Sequence, residues 1–232
     1  MTDVTGTASD YFASMIEDYD SLIRRAVPTY QQMLDTTLEY MPPHPRRGLE
    51  LGCGTGNFTL ALAGLLPECR WTTVDASDEM IELTAARVAE EATGVHVDCV
   101  LARFEEIEFD AGSFDLITSC ISLHHVADKA ELFARLRPML RPGGSLRFSD
   151  QLTGAAPGVA DRHWERWLEH CRAPEQCTEA EVDHLVEHSE AHDHYESLAA
   201  YAQYLRDAGF VGIDCVWRDG MWAIVTAEAP LA

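Results

Sequence analysis

Between Gly48 and Asp150, short apolar runs alternate with amphipathic stretches. The runs at 49–51, 71–75, 95–101, 114–119 and 144–150 have strand length and are bounded by turn residues. Helical periodicity fills 57–66, 77–91 and 128–139 between them. Ser77 and Asp128 stand where N-caps belong, and Pro138, Pro142 and Gly143-Gly144 stop the third helix and turn the chain into a strand. This alternation predicts an α/β fold, a parallel sheet covered by helices on both faces.

The flanks follow other rhythms. Residues 10–41 carry two helical patterns broken near Pro28, with aromatics at Tyr11, Phe12, Tyr19, Tyr30 and Tyr40. The proline-rich MPPHPRRG then connects them to the first strand. Residues 157–209 form a long helical insertion containing histidines and tryptophans. Two closing strands, 211–217 and 221–227, flank Arg218-Asp219-Gly220, a hairpin signal that makes the last strand antiparallel to its neighbour. The expected organisation is an N-terminal helical lid (1–45), a nucleotide-binding core (46–150), a helical cap (151–209) and a closing hairpin (210–232).

Composition narrows the partners. At 232 residues and 47% hydrophobic, the chain fits one ordinary domain or a core with a cap. Its net charge is −22 and Lys129 is its single lysine, so neither nucleic acid nor an anionic membrane is an expected partner. A solvated acidic surface is the simplest use of that charge, and it suits a cationic cofactor. No apolar run reaches the length of a membrane span, and the opening MTDVTGTASD lacks the marks of a secretory signal, so a cytoplasmic location is expected. Seven cysteines without a C-x-x-C pair read as reduced thiols.

The chemistry concentrates in GLELGCGTGN. Glycines at 52, 54 and 56 let a strand bend sharply into a helix and bring backbone close to a ligand. The spacing is one residue shorter than the G-x-G-x-x-G of dinucleotide enzymes, with Asn57 where the third glycine would fall, which argues against an NAD oxidoreductase. Glu50 precedes the first glycine by two. Asp75 ends the next apolar run, 19 residues past Gly56, where a carboxylate accepts from ribose hydroxyls or else caps a helix. Ala76 follows it, and Met80 is placed to cover an adenine face.

With LELGCGTGN, VDASDEMIELTAAR, FDLITSCISLHHV and LRPMLRPGGSLRFSD in succession, residues 46–150 resemble the class I S-adenosylmethionine-dependent methyltransferases. The resemblance implies a Rossmann-like sheet of order 3-2-1-4-5-7-6 and S-adenosyl-L-methionine across the strand carboxyl ends. It implies that Gly52, Gly54 and Gly56 pass the methionine part, Asp75 holds the ribose, Met80 touches the adenine and Ser119 lines the site. Where the family often has an Asp on the adenine amino group, this chain has Arg103 followed by Phe104. Arginine cannot accept that hydrogen but can stack on the ring, and the Phe104 amide can still bond a ring nitrogen. The flanking helices are similar to the carboxy-S-adenosylmethionine synthase group and its relatives, which implies a homodimer. That group needs an arginine about where Tyr204 stands, so plain methyl transfer is favoured over carboxy-cofactor synthesis; a non-catalytic cofactor binder is a further alternative.

Methyl transfer to N, O or S of a small-molecule acceptor needs alignment, a dry site, and a base only when the acceptor must lose a proton. His124 or His125, after the fourth strand, is the candidate base, and Asp150 the candidate for orienting an acceptor. Tyr19, between two aspartates, is placed to close a lid over the cofactor. His184, His188 and His192 share a helical stripe, read as a solvated face or as a wall of the acceptor pocket; no metal is expected.

Overall fold

The structure, a computed structural model, describes residues 16–231, with side chains from Tyr19 onward. Tyr11 and Phe12 of the expected lid lie outside the described residues.

Helices α1 (Ile16–Ala26) and α2 (Tyr30–Glu39) precede the sheet. The core then runs β1 (Arg47–Leu51), α3 (Asn57–Leu65), β2 (Arg70–Asp75), α4 (Asp78–Glu91), β3 (Val97–Leu101), β4 (Phe114–Cys120), α5 (Lys129–Met139) and β5 (Leu140–Gln151). A single 3-10 turn, Leu123–His125, lies between β4 and α5. After α6 (Pro157–Cys171), α7 (Glu179–His192) and α8 (Leu198–Asp207), the chain closes with β6 (Val211–Asp219) and β7 (Trp222–Glu228).

The seven strands form one sheet in the order β3-β2-β1-β4-β5-β7-β6. β1 to β5 pair in parallel, and β7 runs antiparallel between β5 and β6. Because strand side chains alternate faces, neighbouring residues enter different cores. Ile117 and Val225 pack on one side with Phe133, Leu136 and Tyr201, whereas Leu116 and Ile224 pack on the other with Met33, Leu62 and Trp167. That two-sided burial explains why the strands read as continuous apolar runs.

Ser77 caps α4 by accepting from Met80 N–H (3.3 Å), and Asp128 caps α5 through Glu131 N–H (2.8 Å), as the sequence predicts. Helix α8 carries Tyr201 and Leu205 into one sheet core, where Tyr201 meets Phe148 at 5.5 Å, while α6 and α7 bring Trp167 and Val182 to the cluster on the other face. Helices α6 and α7 bind α1: Trp167 Nε1 donates to Ala26 O (2.9 Å), and Arg25 pairs with Glu181 (2.6 Å). Among the described residues, no helix is long and apolar enough to cross a membrane.

Candidate active site

The bend after β1 is fixed by backbone geometry. Gly52 has φ +79°, and a Cβ there would come within 2.0 Å of Ser122 Oγ, so no larger residue fits. Gly54 has φ +50°, and its Cβ position faces open space. Its N–H donates to Asp75 Oδ2 (2.9 Å), while Ser77 N–H donates to Asp75 Oδ1 (3.0 Å). Burial raises the Asp75 carboxyl above its ordinary value, and the backbone amides of Ser77, Gly54 and Ala76 counter that rise. The result is a rigid carboxylate at the end of β2, facing the glycine bend.

A cavity of about 480 Å³ opens beside them, within the range of about 300–1,000 Å³ for small-molecule sites. Of the sequence-predicted residues, Tyr19, Gly52, Gly54, Asn57, Asp75 and Ala76 line it, as do Met80, Arg103, Phe104 and His125. Helix α1 closes one side: Thr55 Oγ1 donates to Asp20 (2.5 Å), Arg87 pairs with the same carboxylate (3.5 Å), and Tyr19 lies on the wall.

Five expected residues stand off this wall. Glu50 is fully buried and accepts from Thr59 (2.7 Å) and Thr73 (2.9 Å), tying α3 to β2. Gly56 caps α3 in the left-handed conformation (φ +87°) against Thr84. Ser119 is buried and donates to Leu51 O (2.8 Å) across the β1–β4 pair. His124 and Asp150 form a buried pair of their own, Nδ1 to Oδ1 at 2.5 Å. Tyr204 also lines neither cavity of this chain; its hydroxyl donates to Glu196 (3.2 Å).

A second, smaller cavity of about 60 Å³ adjoins the first and shares Tyr19, Ile23, Ile121 and His125 with it. His124, His188, Asp193 and Tyr195 line it. Asp193 is the hub. Its Oδ1 lies 3.0 Å from His125 Nδ1, 3.6 Å from His188 Nε2 and 3.8 Å from His124 Nε2, while Oδ2 accepts from the Tyr195 hydroxyl (2.5 Å). Burial opposes charge on His124, but Asp150, with Asp193, carries its imidazole above the ordinary value. Burial and the neighbouring His124 push His125 down, and His188 falls to about 4, chiefly by burial. Burial also works against the Asp193 carboxylate, yet His124 and His125 hold it well below the usual range. The stripe therefore divides: His184 is exposed, His188 is buried in this cluster and His192 lines the larger cavity.

Several cavity-lining positions escape the sequence. Cys53 and Thr55 lie inside the glycine bend and line the cavity by backbone path. Ile121 takes φ +56°, unusual for a β-branched residue, and lies on the wall of both cavities. Glu105, two residues past Arg103, brings a carboxylate to the wall and pairs loosely with it (3.8 Å). Asp193, just past the histidine stripe, carries no motif that marks it.

This sheet order, with its glycine bend facing a strand-end carboxylate, defines the Rossmann-like fold of class I methyltransferases. Residues 49–144 match the family model described as a methyltransferase domain. The chain is 27% identical over 202 residues to the carboxy-S-adenosyl-L-methionine synthase of Chromohalobacter salexigens, covering 84% of this chain and 74% of that one. It is 32% identical over 117 residues to a ubiquinone biosynthesis O-methyltransferase of Xanthomonas axonopodis pv. citri, covering 48% of this chain and 47% of that one. Phosphoethanolamine N-methyltransferase 2 of Haemonchus contortus, solved with S-adenosyl-L-methionine, shares the fold at TM-score 0.71 and 17% identity, over 96% of this chain and 58% of that one. Residues 49–144 form a methyltransferase domain, and the chain as a whole is similar in sequence to carboxy-S-adenosyl-L-methionine synthases.

Proposed function

We propose that the chain transfers the methyl group of S-adenosylmethionine to an N, O or S atom of a small molecule seated where the two cavities meet. The carrying observation is the Asp75 carboxylate, held by Gly54 and Ser77 amides, facing a large cavity that the glycine bend leaves open. In this reading Asp75 accepts from the ribose hydroxyls, Gly52 and Gly54 pass the methionine part, and Met80 and Phe104 cover the adenine. Glu105 is the acceptor for the adenine amino group, in place of the family's usual aspartate.

S-adenosylmethionine supplies a methyl on a sulfonium, an already activated leaving group. The protein's own work is alignment and exclusion of water. Tyr19 and Ile23 of α1 form one side of both cavities, Ile121 the other, and the His125–Asp193 pair stands at their junction to deal with an acceptor proton. Titration calorimetry with S-adenosylmethionine tests the cofactor part: one site is expected, weakened at least about tenfold in Asp75→Ala. A metabolite screen for incorporation of labelled methyl then identifies the acceptor. Similarity to carboxy-S-adenosyl-L-methionine synthases over most of the chain supports a second reading, a cofactor-modifying enzyme. A co-purifying ligand heavier than S-adenosylmethionine by one carboxylate would select that reading.

A further inference from the structure

The described histidines of α7 gather into no metal site; the turn after β4 and the C-cap of α7 do. His124 Nε2, His125 Nδ1 and Asp193 Oδ1 come from two separate segments and all lie within 4.8 Å of one another. The carboxylate oxygen is 3.8 Å from the first imidazole and 3.0 Å from the second. Ligands about 2.0–2.2 Å from an ion stand roughly 3–4 Å apart around it, so these separations suit one shared ion.

The surroundings are those of ligands already oriented. His124 turns Nδ1 to Asp150 at 2.5 Å, which leaves Nε2 toward Asp193. Asp193 gives Oδ2 to the Tyr195 hydroxyl, itself 2.7 Å from Ser189 Oγ, which leaves Oδ1 for the imidazoles. A carboxylate behind a ligating imidazole fixes its tautomer and raises its basicity. Charge points the same way. Asp150 and Asp193 are both buried, Asp150 Oδ2 has no hydrogen-bond partner among the described residues, and Lys129 directs its ammonium at the carbonyls of Val126 (2.7 Å) and His194 (2.5 Å).

We propose that His124, His125 and Asp193 bind one divalent transition-metal ion, with the smaller cavity at its open side. Two imidazoles and one carboxylate select iron, manganese, cobalt or zinc over magnesium and calcium. Resting on the methyl-transfer reading, the open side receives the acceptor's oxygen or nitrogen, whose proton passes to bulk water at neutral pH, the ion taking over from His125 and Asp193 the handling of that proton. Metal binding itself stands apart from that reading.

Chelator-stripped full-length protein titrated with Co(II) should bind one equivalent with visible d–d absorption, which Zn(II) then displaces. Asp193→Asn and His125→Gln should each weaken binding at least about tenfold, and Asp150→Asn, a positioning change, about 10–100-fold. His184→Ala, on the exposed part of the same helix, should leave it unchanged. Circular dichroism checks folding; if Asp193→Asn unfolds, His125→Gln decides. Absence of stoichiometric Co(II) binding, or binding indifferent to the decisive variant, overturns the metal site. The same stripped protein titrated with S-adenosylmethionine separates the failures: cofactor binding without metal binding sinks only this inference, and loss of both sinks the methyltransferase site as well.

Discussion

Two glycines two positions apart have opposite surroundings. Gly52→Ala drives a Cβ into Ser122 from a left-handed backbone, so a loss of roughly 2–4 kcal/mol is expected, read as a lower urea midpoint. Gly54→Ala meets no atom, so only the left-handed strain of about 1–2 kcal/mol applies, but the new methyl enters the cavity and cofactor affinity should fall at least about tenfold. Equal stability losses with unchanged affinity in both would contradict this assignment of their roles. Glu50 is a different residue-scale case. Burial pushes its carboxyl up from 4.5 to about 7, against the pull of Thr59 and Thr73. Between those values the native chain keeps a proton the unfolded chain has released, so stability falls as pH rises from 4.5 to 7. The loss is on the order of 3 kcal/mol. Glu50→Gln has no such titration; parallel stability curves for it and the wild type over pH 4.5–8 would refute the shift.

At the scale of elements, lid helix α1 is tied to the core by Asp20, which accepts from Thr55 and pairs with Arg87, and to α7 by Arg25–Glu181. Asp20→Ala should raise amide exchange in α1 and weaken cofactor binding several-fold, with the sheet's slow amides unchanged. Exchange rising equally in β4 would mean a global loss. Most elements were legible because burial on both faces writes itself into sequence as apolar runs, and capping residues mark the turns between. Helix α8 was not separable from the cap, since Tyr201 and Leu205 make an apolar stripe that looks the same whether it covers a sheet or another helix. Strand β5 is longer than its apolar run because Leu140 already pairs with Phe114 before the run begins.

For the whole molecule, net charge −22 leaves strong self-repulsion, and arginines such as Arg25, Arg87 and Arg147 are engaged in ion pairs with acids. Raising NaCl from 10 to 500 mM, on the order of a threefold or larger fall in screening length, should raise the melting temperature by several degrees. A flat or falling melting curve would show that local pairs outweigh the global field. The lining of the larger cavity was legible because much of it is clustered in sequence on two strand ends. The cluster around Asp193 was not, because His124 and Asp193 are brought together only by tertiary folding, and Glu50 and Ser119 share motif positions with ligand-facing residues while their side chains turn into the core.

Tyr19 and Ile23 contribute to the walls of both chambers from one helix. A single door serving two rooms imposes an itinerary. On the proposed reading, the nucleotide against the glycine bend arrives before the acceptor seated where the chambers meet, and departs after the methylated product. Steady-state kinetics should therefore be ordered, with the demethylated nucleotide competing only against its own parent.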